Sequence, residues 1–298
     1  LTINPTLTLV PVSWKNLPGL LGIDDTAETG QPNQRGGHVI MWKDPGTLRA
    51  ICRDATDDDL LALKIIAEKI PVRDAARMGG VTLSKIKAVL YRAVSLGILI
   101  CPESKIRRDG VHFPEGSRLS PFSASDVFTL QWHITQACDL HCRHCYDRSE
   151  RSRVTFAQGQ SVLDSLFDFT QAMHVRGHVT FTGGNPLLHP RVLDLYKEAS
   201  NRGFSTAILG NPSFNDILDT LQSIQPLTHY QISLEGLEAY NNYIRGEGHF
   251  KRSLEFLDIL KEEKVYSMVM LTLNRDNMDQ VIPLSEVLKN RTDSFTFN

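Results

Sequence analysis

From residue 128 onward the chain alternates between two periodicities, and this alternation limits the fold more than any other feature. Strand-like runs near 128–135, 178–182, 204–209, 229–234, 265–273 and 294–297 are separated by helix-like runs near 158–173, 190–201, 214–224, 250–262 and 279–289. The junctions carry matching punctuation. Thr155-x-x-Gln158 and Ser213-x-x-Asp216 read as capping boxes, Pro190 as a helix-start proline, and Gly203 as a residue just past a helix end. Alternation of this kind predicts an α/β fold: a parallel sheet with right-handed crossovers, open or curled into part of a barrel. The chain of 298 residues starts at Leu1 rather than Met and stops directly after the sixth strand-like run. It reads as a piece of something longer.

The region before residue 126 has a different rhythm. Residues 1–36 lack a clear period and are rich in Gly, Pro, Asn and Gln, so a loose arm is expected. His38–Trp42 and Thr47–Ile51 flank Lys43-Asp44-Pro45-Gly46, a hairpin pattern. Three helical segments follow. Thr56-Asp57-Asp58-Asp59 opens the first, residues 73–78 form a short second that ends at Gly79-Gly80, and Thr82 caps a third with Leu83, Ile86, Leu90 and Val94 on one face. Ile98–Ile100 and Val111–Phe113 look like a second hairpin, a wing. Residues 114–126 read as a linker. The expected organisation is an arm over 1–36, a winged-helix-like α+β domain with linker over 37–122, and a partial (β/α)6 TIM-like barrel over 123–298.

Composition narrows the function classes. Lys plus Arg is 32 and Asp plus Glu is 34, a net charge of −2, which argues against a dominant nucleic-acid surface. No apolar run approaches the roughly 18 residues a membrane span needs, and Leu1–Val12 has no signal-peptide pattern. A cytoplasmic protein is expected. Five cysteines are present, and three of them, Cys138, Cys142 and Cys145, fall within eight residues. An odd, clustered set is not a secreted disulfide framework. It reads as a metal or redox site in a reducing compartment.

The cluster is Cys138-Asp-Leu-His-Cys142-Arg-His-Cys145-Tyr146, directly after the first strand of the second domain. Parallel α/β folds place ligand sites at the C-terminal ends of strands. Three thiolates on one short loop can hold three irons of a cubane and leave a fourth open. A zinc knuckle using His141 or His144, or three ordinary core cysteines, are the alternatives. A zinc site would want a second ligand pair, and none follows.

The C-x3-C-x2-C spacing after a first strand resembles the radical S-adenosylmethionine (radical SAM) superfamily over about residues 126–298. Other motifs agree. Thr182-Gly183-Gly184-Asn185-Pro186 ends the second strand, where the family has a glycine-glycine-acidic-proline motif. Asn185 replaces the usual Glu, so acceptance from the SAM amino group would pass to backbone carbonyls and the amide oxygen. Gly183 and Gly184 permit close backbone approach to a ligand. Ser233-Leu234-Glu235-Gly236 ends the fourth strand, where the resemblance places ribose or carboxylate contacts through Ser233 and Glu235. Arg245 follows as a candidate carboxylate clamp. Asn211 and Asn274, after the third and fifth strands, are weaker candidates that also suit plain turns. His144, or Tyr146 beside it, can pack on the adenine.

The resemblance implies a [4Fe-4S] cluster on Cys138, Cys142 and Cys145 and S-adenosylmethionine on its open iron. It implies reductive cleavage of SAM, hydrogen abstraction from substrate, an external low-potential donor such as a ferredoxin or flavodoxin, and oxygen sensitivity. The first domain resembles, in architecture only, the elements that bind leader segments of ribosomally made precursor peptides by strand addition. Together these point to a peptide maturase of the type that carries a C-terminal SPASM or twitch extension with auxiliary clusters. The alternatives are a radical SAM enzyme acting on a small molecule or activating another enzyme, and a DNA-binding winged helix using Lys85, Lys87 and Arg92.

Overall fold

A computed structural model describes residues 1–16, 18, 34–108, 123–147, 153–214 and 216–298. Two compact units are present, Leu1–Ser125 and Asp126–Asn298.

In the first unit, β2 (Thr8–Val12), β3 (Gly37–Lys43) and β4 (Ala50–Asp54) form an antiparallel sheet in that order. Helices α1 (Asp57–Ala67), α2 (Val72–Gly79) and α3 (Leu83–Ser95) follow. Ile40, Trp42, Leu63, Ile65, Ile86, Leu90 and Ile98 form the core. The expected caps are present. Thr56 and Asp59 close a reciprocal box, Gly80 ends α2 at φ 60°, and the Thr82 hydroxyl accepts from the Lys85 N–H. Asp59 also pairs with Arg53 at 2.7 Å, which ties α1 to β4.

Two expectations change here, and a third falls partly outside the described residues. The first dozen residues are not a loose arm: β1 (Thr2–Ile3) pairs with β5 (Leu99–Ile100), and β2 pairs with β3. The buried Asn4 amide donates to the carbonyls of Lys43 (2.9 Å) and Gly97 (2.7 Å), which pins the terminus. Most of residues 17–33 lie outside the described set. The first hairpin exists but is offset, because Asp44 accepts from the Thr47 backbone and hydroxyl and draws residues 47–49 into the turn. Leu99–Ile100 pairs with β1, while Val111–Phe113, the other half of the expected second hairpin, and most of the linker lie outside the described residues.

The second unit follows the expected alternation. Strands β6 (Val127–Thr135), β7 (Arg176–Gly183), β8 (Ser205–Leu209), β9 (His229–Ser233), β10 (Ser267–Leu271) and β11 (Ser294–Phe297) form one parallel sheet whose strand order is the chain order. Right-handed crossovers in such an order put every connecting helix on one face. The core agrees. Val179, Phe181, Ile208, Tyr230, Ile232, Val269 and Leu271 pack with residues of α4 (Phe156–Met173), α5 (Val192–Asn201), α6 (Ile217–Ile224), α8 (His249–Glu262) and α9 (Val281–Leu288). Strand side chains alternate faces, and the opposite positions Gln131, Thr180, Gln231 and Ser233 are polar. The architecture is that of a partial (β/α) barrel.

Two junctions depart from expectation. The Ser213 box does not form: α6 starts after Asp216 with no side-chain cap. Pro190 precedes the N-cap residue Arg191 of α5 instead of opening the helix. One helix was not anticipated, α7 (Glu238–Arg245).

Candidate active site

The site gathers at the C-terminal ends of β6 to β10. A bulge between His133 and Thr135 ends β6 and turns the chain into the cysteine loop. The base of that loop is bonded to the exit of β7: Gly184 N–H donates to Thr135 O (2.8 Å) and Asn185 N–H to Ala137 O (2.7 Å). A Cβ on Gly183 would stand 2.3 Å from Thr135 O, and one on Gly184 2.3 Å from Ala137 O. Gly183 also holds φ at 151°. The two glycines therefore let two strand ends touch, and their open sides face the protein's own backbone.

Cys138 and Cys142 are half-buried and Cys145 is exposed. Asn211, after β8, directs Nδ2 to Asp139 Oδ1 (2.6 Å) and to Cys138 Sγ (3.5 Å). Arg245, at the end of α7, directs Nη1 to Cys142 Sγ at 3.8 Å. The loop is also tied to α7 through Arg143 N–H and Ile244 O at 2.8 Å. Two sulfurs thus face N–H donors, one of them cationic. That environment suits thiolates carrying a metal cluster, since N–H donors and positive charge stabilise sulfur-borne negative charge. Among the described residues no three His, Cys, Asp or Glu side chains close round a single point. A cubane does not require this, because each cysteine takes a different iron.

Glu235 organises the far side. It is 2% exposed, pairs with Arg245, lies 3.4 Å from His144 Nε2, and accepts from Thr272 N–H at 3.2 Å. Burial works to raise its carboxyl, but the hydrogen bond from His144 and the charge of Arg245 outweigh it and hold the group below its ordinary value. Arg245 is thus held between Glu235 and Cys142. Burial, with Cys138, Cys145 and Glu235, pushes the Cys142 thiol up, and Arg245 opposes them.

The remaining candidates divide. Asn185 is buried; its Oδ1 accepts from Leu187 N–H (3.2 Å) and its Nδ2 donates to Asp139 Oδ1 (3.0 Å). Its amide oxygen is thus already engaged. Ser233 ends β9 two residues before Glu235. Asn274 serves a turn, with Oδ1 accepting from Asp276 N–H at 2.8 Å. Tyr146 is 95% exposed and stands apart, whereas His144 joins the Glu235 group. Sequence reading missed four buried or bridging partners. Asp139 links Asn185 and Asn211. Asn241 accepts from Glu235 N–H and donates to His249 Nδ1, and Asn277 donates to Glu235 O. Asp139 carried one signal, a carboxylate beside a proposed ligand.

A one-sided parallel half-barrel with three cysteines on its first strand-to-helix loop defines a cofactor-dependent enzyme domain. The radical SAM superfamily model matches residues 132–288, more than half of the chain, and the chain belongs to that superfamily. Its cofactors are accordingly a [4Fe-4S] cluster and S-adenosylmethionine.

Among curated proteins, Fe-coproporphyrin III synthase of Methanosarcina barkeri is 25% identical over 189 residues, 61% of this chain and 45% of that protein. Mycofactocin maturase MftC of Mycobacterium ulcerans is 31% identical over 140 residues, 44% of this chain and 36% of that protein. The chain spans less than half the length of these curated relatives. Among solved structures, Streptococcus suis SuiB has a TM-score of 0.50 at 15% identity, covering 100% of this chain and 62% of that chain. That likeness is one of fold. Among the described residues no helix is long and apolar enough to cross a membrane.

Proposed function

We propose that this radical SAM enzyme modifies a ribosomally made precursor peptide and that its first unit holds the leader segment. The observation that carries the reading is the first unit itself. It is an antiparallel sheet ending in β4, followed by three helices, and read as winged-helix-like. A terminal strand beside helices offers an edge to which an extended peptide can add. Two similarities support it. The fold likeness to SuiB, which has also been solved bound to its precursor peptide SuiA, runs through this unit as well as the barrel. MftC is named a maturase.

In this reading Cys138, Cys142 and Cys145 hold the cluster. Bound together, the reduced cluster and SAM supply one-electron chemistry that removes a hydrogen atom from the substrate, with electrons from a ferredoxin- or flavodoxin-like donor. Asn211 and Arg245 steady two of the sulfurs, and Glu235 orients Arg245. Gly183, Gly184 and Asn185 lock the loop base. His144 is assigned to the adenine with the exposed Tyr146 as its alternative, Ser233 to the ribose or carboxylate, and Asn274, which also serves a turn, to a weaker cofactor contact.

A small-molecule substrate is the second reading. It is favoured by the likeness to Fe-coproporphyrin III synthase and to AdoMet-dependent heme synthases, of which that of Methanosarcina barkeri is 23% identical over 168 residues. DNA binding loses ground. Arg92 pairs with Asp58 at 3.4 Å and Lys87 is half-buried, so the three cations of α3 are not equally presented to a partner.

The test is a titration of labelled leader peptides, taken from short reading frames beside the gene, against the anaerobically reconstituted chain. Saturable binding and a mass change in the precursor are expected. No binding of any neighbouring precursor, together with turnover of a tetrapyrrole, would replace this reading with the second.

A further inference from the structure

We infer that Asp139 is the anionic subsite for the α-ammonium group of S-adenosylmethionine, set in place by the side-chain amides of Asn185 and Asn211. The inference rests on the cofactors of the superfamily and on the cysteine assignment above.

SAM brings one ammonium group to the site, and an ammonium group is recognised by a carboxylate or by carbonyl oxygens. Glu238 and Glu247 line a cavity with His141 and Arg143, while Asp139, Asp147 and Glu235 stand against the cysteines or the side chains bonded to them. Glu235 is already neutralised by Arg245 and is buried behind it. Asp147 accepts from Gln136 Nε2 at 3.0 Å and lies 3.7 Å from His133 Nδ1. Asp139 is different. Its Oδ1 receives Asn211 Nδ2 at 2.6 Å and Asn185 Nδ2 at 3.0 Å. Both donors are neutral. They fix the orientation of the carboxylate and leave its charge in place. Among the described residues no Lys, Arg or His pairs with it, and the residue is exposed.

Its position supplies the rest. Asn211 Nδ2 lies within reach of both Asp139 Oδ1 and Cys138 Sγ, at 2.6 and 3.5 Å. The carboxylate is thus one amide nitrogen away from the first cysteine sulfur. The amide of Asn185 carries no charge of its own, and one lone pair of its oxygen already accepts from Leu187 N–H. Its nitrogen donates to Asp139, so the negative charge missing at Asn185 is supplied from the cysteine loop.

The test uses the anaerobically reconstituted full chain and two probes, SAM and its desamino analogue. Dissociation constants come from calorimetric titration, and iron content is measured on the same samples. Asp139→Asn keeps an acceptor for both amides and removes the charge. It is expected to weaken SAM about tenfold or more, the loss of one charge-assisted bond. The desamino analogue should change by less than about twofold. Asp139→Glu, which keeps the charge, should retain part of the preference for SAM. Equal losses for both probes, or no loss for either, would overturn the assignment. If Asp139→Asn loses iron, Asp139→Ser and Asp139→Glu decide by the same comparison of probes. A wild-type chain that binds no iron would sink the cysteine assignment, and this inference with it. A shift in probe preference at full iron content concerns Asp139 alone.

Discussion

Cys142 stands in an electrostatic conflict that the proposed bond to iron would resolve. Burial, two neighbouring cysteines and Glu235 raise its thiol, while Arg245 lowers it. Bonding to a metal removes the proton outright. Cys142→Ala is expected to lower iron well below the roughly four atoms per chain of an intact cluster. It should also abolish SAM cleavage, followed as release of 5′-deoxyadenosine; cleavage at the wild-type rate would refute the ligand assignment. Arg245→Ala should act on stability as well. It leaves Glu235, 2% exposed, without its cation, a loss of about 3 kcal/mol or more. The denaturant midpoint should drop, and Glu235→Gln in the same chain should recover part of it. Cys138, Cys142, Cys145, Asn211 and Glu235 stand out in the sequence because each sits just past a strand or in a spaced motif, and the structure brings them within one region. Asp139 does not stand out. Its partners lie 46 and 72 residues further along, and an Asp in a turn looks the same with or without them.

Helix α7 shows why element reading fails where polar groups are buried. Its only fully buried residue is Asn241, so it lacks the apolar stripe by which helices are recognised. Its inner side is written in hydrogen bonds, with Asn241 between Glu235 N–H and His249. The strands were legible for the opposite reason: their inner positions are apolar and alternate. The loose-arm expectation failed because β2 pairs through its backbone while four of its five side chains remain exposed. Caps were read well where both halves of a box were present. Thr155→Ala, which removes the box at the start of α4, should cost about 1 kcal/mol. Gly184→Ala should cost considerably more, because the new Cβ would meet Ala137 O, a backbone atom, at 2.3 Å. Both effects are read from denaturant unfolding, and an equal, small loss in each would contradict the strand-end packing described above.

For the whole second unit the decisive titration is that of its buried histidines. Burial, with the charges of Arg245 and Arg252, pulls His249 down to about 3; burial, with His229, pulls His178 down to about 4. The unfolded chain takes up these protons near its ordinary value of 6.5, and the folded chain does so only near 4 and 3. Between those limits protons favour the unfolded state, so stability falls as pH falls. Glu235 contributes stability that is present above its ordinary value of 4.5 and lost as pH drops through its lower folded value, which extends the decline to more acid conditions. The unfolding midpoint should therefore be lower at about pH 5 than at about pH 7.5. Replacing His249 with Gln should flatten that slope, and an unchanged slope would show that His249 does not carry it. Strand order equal to chain order has a further consequence, for synthesis on the ribosome. A growing chain can add each strand to a sheet that already exists, so no strand waits for a distant neighbour to be made. The cysteine loop, however, emerges after the first strand, while Asn211 is translated 73 residues after Cys138 and Arg245 103 residues after Cys142, the sulfurs they face. The scaffold can thus form progressively from its N-terminal edge, and the cysteine loop becomes fully held only once α7 has left the ribosome.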